Sequence, residues 1–244
     1  MAISETLART RLEVTGVVQG VGFRPFVYRL ARRHQLAGWV CNTSQCVEIE
    51  IEGPPASLDR FIHQLQQEAP ALARIEAVVS RPAPPQGRAG FTIRESRHRD
   101  ATEALIPADV AACDACLAEI TDPGNRRYQY PFTNCTNCGP RFTIIREVPY
   151  DRLHTTMAGF GLCPQCRAEY ENPADRRFHA EPTACPVCGP RVWLEEGGRR
   201  LDRDAIPAAA SLLKHGKIVA IKGLGGFHLA ADARNDQAVA TLRE

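Results

Sequence analysis

The stretch Val14-Thr15-Gly16-Val17-Val18-Gln19-Gly20-Val21-Gly22-Phe23-Arg24 carries a strand into a glycine turn and out into a helix. Leu12, Val14, Val17 and Val18 supply the apolar positions of a strand over residues 9–18, and Gly20-Val21-Gly22 breaks it. Phe23, Phe26, Val27, Leu30 and Ala31 then recur at three and four residues, which predicts a helix from Phe23 to Gln35 with one buried face. Pro25 fits because it falls in the first turn, where no helical hydrogen bond is lost.

Outward from this stretch, Trp39–Cys41 and Val47–Ile51 read as two strands joined through Asn42-Thr43-Ser44-Gln45. In the second, Val47, Ile49 and Ile51 alternate with Glu48, Glu50 and Glu52, predicting one buried and one wet face. Pro54-Pro55 closes the hairpin, Ser57 is expected to cap a helix over Leu58–Glu68, and Ala73–Val79 and Phe91–Arg94 supply further strands. Strand, helix, strand, strand, helix, strand is the order of the ferredoxin-like βαββαβ unit, so an α+β domain is expected over residues 8–96. A polar linker follows over Ser96–Asp109.

Two later segments repeat one another fifty positions apart. Cys113, Cys116, Cys135 and Cys138 recur as Cys163, Cys166, Cys185 and Cys188, and Arg126-Arg127 recur as Arg176-Arg177. Each copy reads C-x2-C-x18-C-x2-C, a spacing suited to a four-thiolate metal site. Two structural zinc ions are expected in a tandem module over residues 110–191, with iron fitting such knuckles as well. Whether each copy holds its own ion, or the first CxxC pairs with the fourth, the spacing leaves open. A disulfide framework is the rival reading, disfavoured by the CxxC pairing and by the lack of a secretory signal in Met1–Leu7. The expected location is therefore the cytoplasm.

The 30 basic and 28 acidic residues give a net charge of +2, which provides no field for coating nucleic acid or a membrane surface. No run approaches the roughly 18 apolar residues of a membrane span. After Gly197-Gly198 a helix over Ala205–His215, ended by Gly216, and a strand over Lys217–Lys222 predict a third domain beginning at residue 202, with Glu244 falling inside a further helix. Gly223, Gly225 and Gly226 follow that strand, a weak signal for a phosphate loop.

For chemistry, the loop Gln19-Gly20-Val21-Gly22-Phe23-Arg24 has the parts of an anion cradle. Glycines let backbone N–H groups converge, the helix start is electropositive, and Arg24 offers a planar fork for two phosphate oxygens. From spacing alone a plain strand-to-helix turn with a surface arginine is the slightly better reading. Cys41 and Cys46, outside any CxxC, are candidates for ligands or a redox pair only in principle.

The stretch Val14–Arg24, with Gly38-Trp39-Val40-Cys41-Asn42 after it, resembles the two signature pieces of the acylphosphatases. That resemblance implies that Arg24 binds the phosphoryl group and Asn42 positions the attacking water, with no side-chain nucleophile. Family members commonly carry glycine where this chain has Cys46, so a different hairpin turn and a displaced Asn42 are expected. More widely, this domain, the tandem cysteine copies containing Asn134–Ile144, and Ile218–Leu229 resemble the HypF family of carbamoyltransferases, hydrogenase maturation proteins. The resemblance implies carbamoyl phosphate as substrate, an acylphosphatase-like, a zinc-finger-like and the beginning of a YrdC-like α/β domain, and ATP use only where the YrdC-like domain is complete. It also implies a maturation partner whose C-terminal cysteine accepts the carbamoyl group. The competing expectation is a zinc-ribbon adaptor that binds protein or nucleic acid through Arg126-Arg127-Tyr128 and Arg176-Arg177-Phe178-His179.

Overall fold

The computed structural model describes residues 7–98, 104–201 and 204–244. The middle of the expected linker, residue 202 at the expected start of the third domain, and nearly all of the N-terminal segment searched for a signal lie outside the described residues. The chain forms two compact units, Met1–Gly189 and Pro190–Glu244.

The first unit opens with β1 (Ala8–Val17), α1 (Phe23–Arg33), β2 (Ala37–Asn42), β3 (Val47–Gly53), α2 (Pro55–Gln67), β4 (Arg74–Ala83) and β5 (Phe91–Ile93). The sheet order is β4-β1-β3-β2-β5, antiparallel except where β5 joins β2 in parallel. This is the α+β arrangement predicted from the element order. Register sets Leu12 opposite Ile49 and Val14 opposite Val47, so β1 and β3 turn the same apolar face inward. On that face lie Phe23, Val27, Leu30 and Ala31 of α1 and Leu58, Phe61 and Leu65 of α2. Each large side chain so buried contributes roughly 1.5–3 kcal/mol.

The opposite face is not wet. Glu50 is buried against Arg9 at 2.6 Å and Arg11 at 3.0 Å, and the Glu52 carboxylate accepts N–H bonds from Gln86 and Gly87. The proline-rich loop before β5 returns across the sheet and covers these acids. Burial raises the Glu50 carboxyl pKa, but hydrogen bonds from Arg9 and Arg11 win and hold it below the ordinary value.

Helix ends differ from expectation for local reasons. α1 stops at Arg33, and Gln35 takes a left-handed φ of 55°. α2 starts at Pro55 with Pro54 as N-cap, so Ser57 lies within the first turn and does not cap. Proline at the first helical position has no N–H to satisfy and a φ already suited to the helix.

In the rest of the unit, α3 (Asp114–Thr121) and α4 (Pro164–Glu171) are each N-capped by the first cysteine of a repeat, with the second cysteine in the first turn. Tyr130, Ile144, Met157 and Ala184 form a small apolar core, with Phe160 packed against it. The composition of residues 96–109 predicts domains standing apart; instead the β-sheet domain and the cysteine repeats share one compact unit.

In the second unit, β6 (Glu195–Glu196) and β7 (Arg199–Arg200) pair across Gly197-Gly198. α5 (Ala205–Lys214) follows, then β8 (Val219–Lys222), β9 (Phe227–Ala230) and α6 (Asp236–Arg243). Gly223 N–H bonds to the Gly226 carbonyl at 2.7 Å, so these glycines turn a β-hairpin and do not lead into a helix. The strand that follows the turn is β9, so any helix start lies beyond the hairpin. No helix among the described residues is long and apolar enough to cross a membrane.

Candidate functional site

The loop between β1 and α1 is bent by Gly20 at φ 69° and Gly22 at φ 74°, a left-handed region open to glycine at little cost. Gly22 is the N-cap of α1, so the unpaired N–H groups of the first turn border a pocket that Gly20, Gly22, Phe23 and Arg24 help to line. Val21 and Phe23 anchor the loop by sending their side chains into the core. The far wall comes from the cysteine repeats: Thr136, Arg141, Tyr150 and the run from His179 to Pro182. A Cβ on Gly20 would sit 3.4 Å from the Arg141 side chain, and one on Gly22 would sit 3.3 Å from that of Thr136.

Arg24 is only 8% exposed. Its Nη1 lies 2.7 Å from Asp151 Oδ1 and its Nη2 lies 2.8 Å from Glu181 Oε1, so carboxylates take both arms of the guanidinium fork. Nη2 also donates to the Tyr150 carbonyl at 3.2 Å. The same carbonyl accepts from Asn42 Nδ2 at 3.4 Å, which ties the two residues together. Asn42 Oδ1 is buried with no hydrogen-bond partner among the described residues.

Gln19 holds the loop to the hairpin. Its Nε2 donates to the Thr43 carbonyl at 2.7 Å, and its Oε1 accepts from Tyr150 N–H at 3.0 Å. The hairpin turn uses Thr43, whose hydroxyl accepts from the N–H groups of Gln45 and Cys46. Cys46 needs no left-handed backbone; Gln35, Gln129 and His179 are the non-glycine residues at positive φ among those described. Asn42 remains paired with Val47 in the β2–β3 ladder. Cys41 and Cys46 are buried, and neither joins a group of potential metal ligands among the described residues.

Charge in the site is finely opposed. Burial lowers the Arg24 pKa, but Asp151 and Glu181 outweigh it and carry the guanidinium above its ordinary value. Burial pushes the Glu181 carboxyl up to about 7 despite Arg24 beside it. Tyr170 Oη and the Arg152 N–H donate to Glu181 Oε2, at 2.9 and 3.0 Å. Burial, then the charge of Arg24, lower His179 to about 4, so its imidazole is neutral near pH 7.

The eight repeat cysteines gather as two groups, Cys113 with Cys116, Cys135 and Cys138, and Cys163 with Cys166, Cys185 and Cys188. Each copy thus keeps its own ligands, which excludes the interleaved pairing. Sγ···Sγ separations run from 3.4 Å for Cys116–Cys138 to 3.9 Å for Cys135–Cys138. A tetrahedron with Zn–S bonds of about 2.3 Å has edges of about 3.8 Å, so the sulfurs fit zinc and are far too distant for disulfides.

The arginine pairs link the copies. Arg126 Nη2 donates to Cys166 Sγ at 3.2 Å, and in return Arg176 Nη2 donates to Cys116 Sγ at 3.2 Å. Arg126 and Arg127 both pair with Glu169, while Arg176 and Arg177 both pair with Glu119. Each four-cysteine group therefore receives its outer hydrogen bonds from the other copy. These are the arginines of the adaptor expectation, and they face inward.

Residues 10–93 match the Acylphosphatase family, and residues 112–145 and 162–195 each match the HypF finger. Carbamoyltransferase HypF2 of Cupriavidus necator is 55% identical over 96% of this chain. A solved structure titled "Crystal structure of full-length HypF in the phosphate- and nucleotide-bound form" superposes with a TM-score of 0.93 at 44% identity over 100% of this chain. The chain belongs to the HypF carbamoyltransferase family. It spans 30% of the length of the Cupriavidus HypF2 and 32% of that solved HypF chain. The acylphosphatase of Moorella thermoacetica is 41% identical over 37% of this chain and 98% of its own length. Residues 211–244 match a YrdC-type family described as Telomere recombination.

Within this HypF framework the structure brings Gln19, Gly20, Gly22, Arg24 and Asn42 to one pocket, with Cys135 of the first cysteine group on its wall. Sequence reasoning missed Asp151 and Glu181, which no local motif marks, and placed His179 only in the adaptor reading. One signal was available. Tyr170, His179 and Glu181 occupy the positions of Ile120, Gln129 and Pro131 in the first copy, and these departures from the repeat surround Arg24. Gln129 and His179 even share a positive φ, 54° and 51°, so the backbone repeats while the side chains diverge.

Proposed function

We propose that the chain hydrolyses carbamoyl phosphate at the pocket between the β1–α1 loop and the HypF fingers. The supporting observation is the unpartnered, buried Asn42 Oδ1 held beside Arg24 through the Tyr150 carbonyl. An unsatisfied buried acceptor costs about 1–3 kcal/mol, and a bound water donating to it removes that cost. The loop N–H groups of residues 19–24 and the Arg24 fork hold the phosphoryl oxygens, which take over the places of Asp151 and Glu181. Water held by Asn42 bonds to phosphorus as the bond to the acyl oxygen breaks, releasing orthophosphate and carbamate. Orientation of the water and stabilisation of phosphoryl charge supply the acceleration.

In this reading residues 8–96 carry the chemistry, residues 110–191 wall the site with two structural zinc ions, and residues from 202 onward belong to a YrdC-like domain. In a complete YrdC-like domain ATP would convert the carbamate to an adenylate. The carbamoyl group is then destined for the C-terminal cysteine of a hydrogenase maturation partner, in the cytoplasm. A phosphate-release assay with carbamoyl phosphate and acetyl phosphate tests the core of this. Release above the buffer rate from carbamoyl phosphate is expected; release from neither substrate withdraws the assignment.

A further inference from the structure

We infer that His98, Glu147 and His154 form a third metal site, one that takes a borderline divalent transition ion of the Zn2+ class. One ligand atom from each residue lies within 4.8 Å of the others. Three separate stretches converge there: the tail after β5, the strand-like segment at Ile145, and the short helical turn Arg152–His154.

His154 is already set up as a ligand. Its Nδ1 lies 2.7 Å from the Pro149 carbonyl, a contact that only an N–H can make. Nδ1 therefore serves as the donor and Nε2 is the ring nitrogen turned toward Glu147, the usual outer-shell arrangement of a metal-binding imidazole. Nε2 stands 3.7 Å from Glu147 Oε1, too far for a hydrogen bond but near the ligand-to-ligand edge, about 3.4 Å, of a tetrahedron with bonds of about 2.1 Å. The His98 ring meets the His154 ring edge-on, with centroids 5.1 Å apart.

The backbone fixes the three positions. The His154 carbonyl accepts from the N–H groups of Arg146 and Glu147, and Ile145 bridges Thr155, so two of the ligands are locked as neighbours. Arg97 N–H bonds to the Asn42 carbonyl at 2.9 Å and Arg97 bridges Thr43, which places His98 beside the end of β2. His98 and Glu147 are exposed and His154 half-buried, so an ion can enter and a water can complete its shell.

Two imidazoles and one carboxylate favour zinc and its neighbours over calcium or magnesium, which prefer all-oxygen shells. The ion would be exchangeable, held more weakly than by four thiolates. Its consequence is mechanical. Glu147 and His154 bracket Tyr150 and Asp151, which hold Arg24, so the ion pins that loop to the tail of the β-sheet domain.

The test is titration of the chain, already loaded with two zinc ions, with Co2+. A third equivalent is expected, with weak visible ligand-field bands and no thiolate-to-cobalt charge transfer. His98→Ala and Glu147→Gln, both exposed and outside the apolar core, should each weaken it at least ~10-fold, and His154→Ala likewise if its circular dichroism stays native. His63→Ala, at a distant exposed histidine, should leave the isotherm unchanged. A stoichiometry that stays at two, a third equivalent that survives both His98→Ala and Glu147→Gln, or one that brings thiolate bands overturns the proposal.

Discussion

Arg24 Nη2 and Glu181 Oε1 lie 2.8 Å apart although 157 residues separate them in sequence. Glu181 is 2% exposed and Arg24 8%, so the pair is shut away from water, while Asp151 at 23% stands at the edge of the site. A buried ion pair is a poor source of net stability, yet removing one partner strands the other. The pair joins the β-sheet domain to the HypF fingers and occupies the fork that an anion would use.

Arg24→Ala is therefore expected to act twice. It strands the buried Glu181 at a cost of up to about 3–5 kcal/mol, and it removes the grip on a phosphoryl group. Urea unfolding should show the first effect and loss of phosphate inhibition the second. Arg24→Lys should restore part of the stability and little of the anion binding, because a point charge lacks the fork. Phosphate inhibition that persists in the alanine variant would count against Arg24 as the anion ligand.

Asn42→Ala should separate stability from turnover. Its one side-chain donor bond is long, 3.4 Å, and its Oδ1 is unsatisfied, so folding should lose little. Hydrolysis should fall by roughly two orders of magnitude while phosphate still inhibits, as expected for a lost water-positioning group. Near-normal turnover in this variant would remove Asn42 from the mechanism.

Glu181 and His179 pull the pH dependence of stability in opposite directions. The folded Glu181 pKa lies near 7, above the ordinary 4.5, so the folded state holds the extra proton and stability falls as pH rises from about 4.5 to about 7. The folded His179 pKa lies near 4, below 6.5, so the unfolded state holds the extra proton and stability rises over about pH 4 to 6.5. In the unmodified protein the two slopes offset one another. Glu181→Gln should uncover the rising His179 limb in a series of thermal melts. The same variant should show phosphate inhibition that weakens less above pH 7, because no carboxylate forms to compete for Arg24. An unchanged melt profile would mean that Glu181 does not titrate in this window.

Chelation of the HypF fingers should release both zinc ions in one transition. Arg126 leans on Cys166 and Arg176 on Cys116, so loosening either copy removes outer hydrogen bonds from the other. Cys113→Ser should likewise lower the zinc count by more than one. It should also alter hydrolysis, contrary to the expectation of an independent finger domain, because Tyr150 and Glu181 wall the Arg24 site. Metal analysis beside the phosphate-release assay checks both outcomes; one zinc lost with kinetics unchanged would show that the copies are uncoupled.

Periodicity and spacing were enough for the βαββαβ order, the glycine turn before α1 and the two C-x2-C-x18-C-x2-C copies, while the resemblance to the acylphosphatases singled out Arg24 and Asn42. Each depends on neighbours within a helix turn, a strand pair or a CxxC knuckle, where local geometry leaves few choices. Ser57 and the expected wet face of β3 read differently because Pro54-Pro55 starts α2 early and a distant loop covers Glu50 and Glu52. The pairing of cysteines within each copy, the inward turn of the arginine pairs and the carboxylates on Arg24 were decided only in three dimensions. These are contacts between groups tens of residues or more apart, and whether a charge meets water or a buried partner depends on how whole elements pack, which no local pattern in the chain encodes.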